Sequence, residues 1–367
     1  MRILIAPNSM KGSMDAFQFA DTVEQGFKRC SSSFEIRKVP VADGGDHTGK
    51  ILSKALGAKK VTVSVSDPLG RGIQSEFSIV GKTAIIEMAD ASGIKRMKPE
   101  ELNPMKTSSY GTGQLIEHAI DRGCNEIFLG VGGSATVDGG SGMLEALGFK
   151  YYDSEGNRLS GNGANLEKIT KINKPEVVKE ITIWVISDVN NPLLGKNGAA
   201  EVFAPQKGAS SEMVEKLEVG LKNWALLLEE ESGRKLADLT GAGAAGGIAL
   251  PLAAYFDAEI VPGADFILKK LDFEEHVKWA DLVITGEGKI DTQTLGDKAP
   301  VVVARIARKH EKPVIAIGGS VDKGASEGFD ALFSFINRPL TLQTSMKESE
   351  KLLAEFSYEL ARLILVI

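Results

Sequence analysis

One pattern recurs at both ends of this chain and constrains it more than any other. A short aliphatic run leads into a loop rich in glycine or acid, and a helix-length stretch follows. Ile3-Leu4-Ile5 runs into the polar segment 8–13. Residues 14–29 then set Ala16, Ala20, Val23 and Phe27 on one helical face, with Ser13 as the expected N-cap and Asp15 in the first turn. A second strand, 35–42, ends in Asp43-Gly44-Gly45 and precedes a helix reaching about Leu56. The pattern returns late: 281–284 ends in Thr285-Gly286-Glu287-Gly288, and Pro300 opens a helix to about Lys309. Strands at 314–317 and 331–335 follow, then a last helix from about Lys347 to Ile364. Such alternation predicts an α/β fold with one doubly wound parallel sheet made from both chain ends. The expected domains are 1–60 with 281–367, and an inserted α/β domain over 61–280. That insert opens with antiparallel strands at 60–65, 73–80 and 83–88, and includes strands at 127–131 and 181–186.

Composition narrows the function. With 367 residues the chain is long enough for two domains. Its formal net charge of −6 argues against a nucleic-acid surface or an anionic membrane as partner. Cys30 and Cys124 offer neither a disulfide framework nor metal-ligand spacing, so a soluble, cytoplasmic protein is expected. The sequence sets no oligomeric state. The 40 glycines gather in clusters, mostly beside strand-like runs and among Ser, Thr, Asp or Glu. In open α/β sheets ligands bind at the carboxyl ends of strands, where these clusters fall.

Five loops carry candidate chemistry. Gly132-Gly133-Ser134-Ala135-Thr136-Val137-Asp138 lies between a strand and a helix expected near Gly140. Gly132, Gly133, Ser134 and Thr136 suit a phosphate cradle, while Asp138 suits either Mg²⁺ or a helix cap. In Gly286-Glu287-Gly288-Lys289-Ile290-Asp291, Gly286 suits close phosphate approach, and Glu287 and Asp291 suit Mg²⁺. The two acids are four apart and share a face if the loop turns helical. Lys11 precedes the first helix and suits an anion, against a plain solvated lysine. Asp43 and Asp188 each suit a proton acceptor or metal ligand, against simple turn chemistry. Two weaker segments are 87–93 and 107–113, the second suited to touch a phosphate or carboxylate. Gln206-Lys207 suits either a ligand or solvent.

Some motifs are excluded. Gly81-Lys82-Thr83 lacks the glycine that a Walker A loop requires at position 76, which is Glu76. The four histidines, 47, 118, 276 and 310, are not at metal spacing, and there is no serine-hydrolase elbow. The segment 241–246 formally matches a dinucleotide fingerprint but follows no clear strand.

The segments PNSMKGSMDA (7–16), VPVADGGDHT (39–48), GVGGSATVDGGSGMLEALG (130–148), DVNNPLLGKNGAAEVFAPQKGA (188–209) and ADLVITGEGKIDTQTL (280–295) occur in this order. Together they resemble the bacterial glycerate kinases that lack a P-loop. The resemblance implies ATP as donor, Mg²⁺ as metal and D-glycerate as acceptor. It implies two α/β domains, the one from both chain ends flavodoxin-like. Carried over on matching positions are Lys11, Asp43, Asp188, Glu287, Asp291 and the 132–138 loop. The chain departs from the usual pattern at Asp46-His47, Val137, Lys289 and Asp297.

The expected reaction is attack by a glycerate hydroxyl on the γ-phosphorus of ATP in a cleft between the domains. Asp43 or Asp188 orients that hydroxyl, Lys11 offsets negative charge, and Glu287 with Asp291 holds Mg²⁺. Two other readings stand beside it. One is a nicotinamide-dependent hydroxyacid dehydrogenase using 241–246. The other is a non-catalytic glycerate-binding relative, suggested by Val137.

Overall fold

The computed structural model describes residues 1–45, 48–296 and 298–366. Asp46, His47 and Asp297, three of the departures named above, lie outside the described residues. In chain order the strands are β1 Arg2–Pro7, β2 Glu35–Lys38, β3 Lys59–Ser66, β4 Gly72–Val80, β5 Thr83–Glu87, β6 Glu126–Gly130 and β7 Lys150–Tyr152. They continue as β8 Arg158–Leu159, β9 Lys171–Asn173, β10 Thr182–Ser187, β11 Asp257–Pro262, β12 Leu282–Ile290, β13 Val314–Val321 and β14 Ala331–Ser334. The structure is mixed α/β, and its contacts divide it into two units.

The first unit is Met1–Asp43 with Gly263–Ile367. Its sheet has the order β14-β13-β12-β1-β2, with every pair parallel. A parallel sheet is covered on both faces, so its strands read as continuous apolar runs. Leu4, Ala6 and Val283 meet Val302, Val303 and Ala307 on one face. Ile3, Ile5 and Ile284 meet Phe19, Val23 and Phe27 on the other. Each buried Leu, Ile, Val or Phe among these contributes about 1.5–3 kcal/mol by leaving water. The second strand is shorter than expected, but Val39 N–H still donates to Ile5 O and Val41 N–H to Pro7 O, both at 2.9 Å. That ladder delivers Asp43 to the carboxyl edge.

Helix α1 spans Ala16–Cys30. Its N-cap is Asp15, not Ser13. Asp15 Oδ1 accepts from Gln18 N–H, and Gln18 Oε1 accepts from Asp15 N–H, both at 2.9 Å. This reciprocal pair satisfies two orphan groups, which Ser13 cannot do from its position. Ser13 instead bonds to Met346 O and to Ser349 Oγ.

The second unit is Gly44–Pro262. Its sheet has the order β11-β10-β6-β5-β4-β3. The pairs β3–β4 and β4–β5 are antiparallel, as expected, and the remaining pairs are parallel. Helix α2, Thr48–Ala55, packs on β4, β5 and β6, which places it in this unit. The helices Gly263–Lys270 and Phe273–Trp279 pack on the Ala299–Lys309 helix and go with the first unit. The unit bounds therefore differ from the expected 60 and 281. Strand β11 and the small sheet β8-β7-β9 were not expected. The core of this unit centres on Trp224, whose ring meets Tyr151 edge-on with centroids 5.4 Å apart.

Candidate active site

In the first unit, three polar segments meet at the carboxyl edge of β1, β2 and β12. Asn8 follows β1, and its N–H donates to Gly286 O at 2.8 Å. Its Nδ2 donates to Asp43 Oδ2 at 3.0 Å, which fixes that carboxylate beyond the end of the β2 ladder. A Cβ on Gly288 would stand 3.5 Å from Met10 Cα, so the segment before Lys11 lies against β12. Lys11 itself is exposed.

Glu287 lies inside β12 and is 7% exposed. The segment expected as a loop is strand as far as Ile290, so the helical condition for a shared face is not met. Glu287 Oε1 accepts from Thr294 Oγ1 at 2.6 Å, and Thr294 Oγ1 accepts from Asp291 N–H at 3.1 Å. Thr294 was not singled out from sequence, although its place three residues after an Asp is a turn signal. Burial pushes the Glu287 carboxyl up. The Thr294 hydroxyl and Lys298 oppose that shift, and the charges of Asp43 and Asp291 add to it. Asp291 is held below the usual carboxylate range, chiefly by Lys289, whose Nζ is 2.9 Å from Oδ2. Two neighbouring carboxyls thus have environments that push them apart, a recurrent arrangement at functional sites.

Gly286 has a different explanation from the one expected. A Cβ there would lie 2.1 Å from Ile317 O and 2.8 Å from Phe19 Cζ. The close approach of the neighbouring strand and α1 requires this glycine, so phosphate contact is not needed to account for it.

The 132–138 loop lies in the second unit and is mostly turned inward. Ile94 N–H donates to Gly133 O and Ala135 N–H to Ser92 O, both at 2.9 Å. Gly133 is exposed and Gly132 half-buried, so this end of the loop is open. Ser134 is 8% exposed and Thr136 fully buried. Beneath them lies Lys207, 2% exposed, whose Nζ donates to Ser134 Oγ and to Thr136 O, both at 2.7 Å. Burial lowers its ammonium from the ordinary 10.5 to about 7, against the pull of Asp138. Of the two roles open to Lys207, the structure excludes solvent.

Asp138 is wholly buried and takes the cap role. Its Oδ2 accepts from Ser109 N–H and Ser109 Oγ–H at 2.7 Å and from Gly142 N–H at 3.3 Å. Its Oδ1 accepts from Gly140 N–H at 3.1 Å. Four protein donors leave no favourable geometry for Mg²⁺, and burial raises this carboxyl despite them. The carboxylate met by the 107–113 segment is therefore the protein's own. The helix after the loop is short, Ser141–Ala146, and Met143 N–H donates to Ser109 Oγ at 2.9 Å. Its N-terminal donors are engaged internally and form no phosphate cradle. Val137 is fully buried in the apolar core, so its side chain is not beside a ligand. The reason for a non-catalytic relative disappears with it.

Asp188 is exposed after β10. Gly44 has φ +102°, and a Cβ there would lie 2.7 Å from the Ser187 carbonyl carbon and 3.0 Å from Asp188 N. The glycine thus lets its loop lie against the start of the Asp188 loop. The 241–246 glycines answer to packing as well. A Cβ on Gly243 would be 2.2 Å from Pro192 O, and one on Gly246 would be 2.3 Å from Thr136 O. They form a turn against two loops rather than a strand-to-helix cofactor turn, which removes the basis of the dehydrogenase reading.

Among the described residues, no group of three or more His, Cys, Asp or Glu side chains is placed to hold a metal. A pair such as Glu287 and Asp291 suits a cation that takes its other ligands from phosphates and water, as Mg²⁺ does. Among the described residues, no helix is long and apolar enough to cross a membrane.

Comparison with known proteins bears on all of this. The model of the glycerate kinase family matches residues 3–365. The glycerate kinase of Haemophilus influenzae is 42% identical over 99% of this chain and 99% of its own. That of Halalkalibacterium halodurans is 41% identical over 98% and 97%. The glycerate 2-kinase of Escherichia coli is 40% identical over 95% and 93%. A crystal structure of a protein assigned as glycerate kinase 2 in Salmonella typhimurium LT2 superposes with a TM-score of 0.88 at 40% identity, covering 100% of this chain and 98% of that one.

Proposed function

The chain belongs to the glycerate kinase family, and from that premise we infer that it transfers the γ-phosphoryl group of ATP to a hydroxyl of D-glycerate. The observation that carries this reading is about 40% identity to named glycerate kinases along nearly the whole chain. The products are ADP and 2- or 3-phosphoglycerate. The partners are small molecules, with no nucleic acid or membrane involved, and the reducing cytoplasm suits the two free cysteines. The strand order of the first unit, counted along its own strands as 2-1-3-4-5, is read as flavodoxin-like.

The residue roles follow from chemistry. Asp43, oriented by Asn8, is assigned to position the acceptor hydroxyl and take its proton late in transfer. Asp188, exposed on its loop, is the alternative for the same task. Lys11 offsets the negative charge of substrate carboxylate or phosphoryl oxygens. Glu287 and Asp291 would hold Mg²⁺, which would supply neutralisation of charge on the nucleotide phosphates. Asp291 is held below the usual carboxylate range, chiefly by Lys289. Gly132 and Gly133 form the open end of the loop assigned to phosphate, with Ser134 buried behind them. Thr136 and Lys207 support that loop from beneath.

The test is a coupled ADP-release assay with ATP, Mg²⁺ and D-glycerate, with the product read by ³¹P NMR. Glycerate-dependent ADP release and a single phosphoglycerate are expected. Folded protein that releases no ADP above the rate without glycerate would overturn the reading.

A further inference from the structure

A cavity of about 700 Å³ lies in the second unit, lined by none of the residues given a role under the proposed function but by Glu87, Ala89 and Asp90 of the 87–93 segment. One face of the sheet forms its floor, because Lys60 pairs with Ser78 and Ser78 with Ile85 across β3, β4 and β5. Glu76 and Glu87 stand two residues along on the same face. One wall is α2, through Gly49, Lys50, Ser53 and Lys54. The other runs from Ala89 and Asp90 to Lys95 and Arg96.

We propose that this cavity holds the nucleoside part of ATP, with the phosphates directed to the open Gly132–Gly133 end of the loop. The proposal rests on the kinase reading and adds a substrate subsite to it. Three observations support it. The volume falls in the range of small-molecule and cofactor sites, roughly 300–1,000 Å³. The lining combines apolar surface from Ala58, Ile85 and Ala89 with five cations, Lys50, Lys54, Lys60, Lys95 and Arg96, against three acids. That mixture suits a flat heterocycle bearing an anionic tail. Third, the second wall is continuous with the phosphate loop. Between Asp90 and Lys95, the Ser92–Ile94 backbone is bonded to Gly133 O and Ala135 N–H at 2.9 Å. Glu87, at the end of the floor, accepts from Gly49 N–H and so ties α2 to the same edge.

The experiment measures binding of a fluorescent ADP analogue and its displacement by ADP, together with KM values for ATP and D-glycerate. Ser53→Trp fills the cavity from the α2 wall. Lys95→Glu with Arg96→Glu reverses the charge of the opposite wall at two exposed positions, and the unfolding midpoint of the variant is measured beside its binding. Each change is expected to weaken ADP binding and raise KM for ATP by about 10-fold or more, with KM for D-glycerate within about twofold. Wild-type turnover with ADP affinity and KM for ATP unchanged in the charge-reversed variant would overturn the cavity assignment and leave the kinase reading intact. Wild-type protein that binds ADP, loses that binding in both variants and never phosphorylates glycerate would break the kinase reading and leave the cavity standing.

Discussion

The loops at 132–142 and 285–291 look alike in sequence, and the structure gives them opposite characters. In sequence each follows an aliphatic run, each mixes glycine with acid, and each suits phosphate and Mg²⁺ on residue type alone, although the second is strand as far as Ile290. Asp138 in the first is saturated by Ser109, Gly140 and Gly142 and has no exposed surface. Glu287 in the second accepts from the Thr294 hydroxyl, and burial, with the charges of Asp43 and Asp291 added, raises its proton affinity. An acid surrounded by donors serves the fold, whereas a buried acid with one hydroxyl donor and two acids beside it keeps oxygen lone pairs for a ligand. The donor count around a carboxylate separates the two where composition does not.

The largest expected effect lies on the acid-crowded side. Asp43→Asn keeps shape and loses the proton acceptor, so kcat is expected to fall by about 10²–10⁴ with the unfolding midpoint unchanged. If Asp43→Asn and Asp188→Asn both keep near-normal kcat in steady-state assays, the role assigned to this pair is wrong.

On the donor-saturated side the loss is one of stability. Asp138→Ala strands the Ser109, Gly140 and Gly142 N–H groups in the core, and urea unfolding should show a loss of about 3 kcal/mol or more. A loss below about 1 kcal/mol would mean that the cap carries little. Gly286→Ala sharpens the contrast inside the active loop itself. A methyl 2.1 Å from Ile317 O should cost about 1–3 kcal/mol by forcing strands apart, whether or not phosphate ever approaches. Full stability in that variant would return Gly286 to the ligand.

The smallest effect is a slope. Lys207 has its folded-state value lowered from 10.5 to about 7 by burial. Between those values the unfolded chain binds more protons than the folded one, so this group makes stability rise with pH above about 7. Lys207→Met should flatten that rise in denaturation curves collected across the range. An unchanged slope would show that Lys207 is not buried as described.

Much of the fold was legible because parallel-sheet strands declare themselves. Ile3-Leu4-Ile5 and Val314 to Ile317 are aliphatic runs ended by polar loops, and both are central in their sheet. Strand β11 is an edge strand whose Asp257 and Glu259 are exposed, so it carries no apolar run to read. The three short strands of the small sheet fall below the length at which periodicity signals anything. At the site, the acids of interest were legible by type and by their place at strand ends. Which of them are engaged was not. Asp138 is settled by Ser109, 29 residues away in sequence, and Gly286 by Ile317 on the adjacent strand. Lys207 reaches the loop beneath Ser134 across 73 residues. Partners this distant leave no local pattern, whereas the Asp15–Gln18 cap was local and was mistaken for one at Ser13.

The contrast between the two loops is tested most directly by measuring kcat for glycerate phosphorylation in Glu287→Gln and in Asp138→Asn, per folded molecule, in one assay. Glu287→Gln is expected to lose about 100-fold or more in kcat while unfolding like the parent, and Asp138→Asn to keep kcat within about threefold while unfolding earlier. The reverse result, an active Glu287→Gln enzyme and a stable, inactive Asp138→Asn enzyme, would contradict the assignment of chemistry to Glu287 and of structure to Asp138.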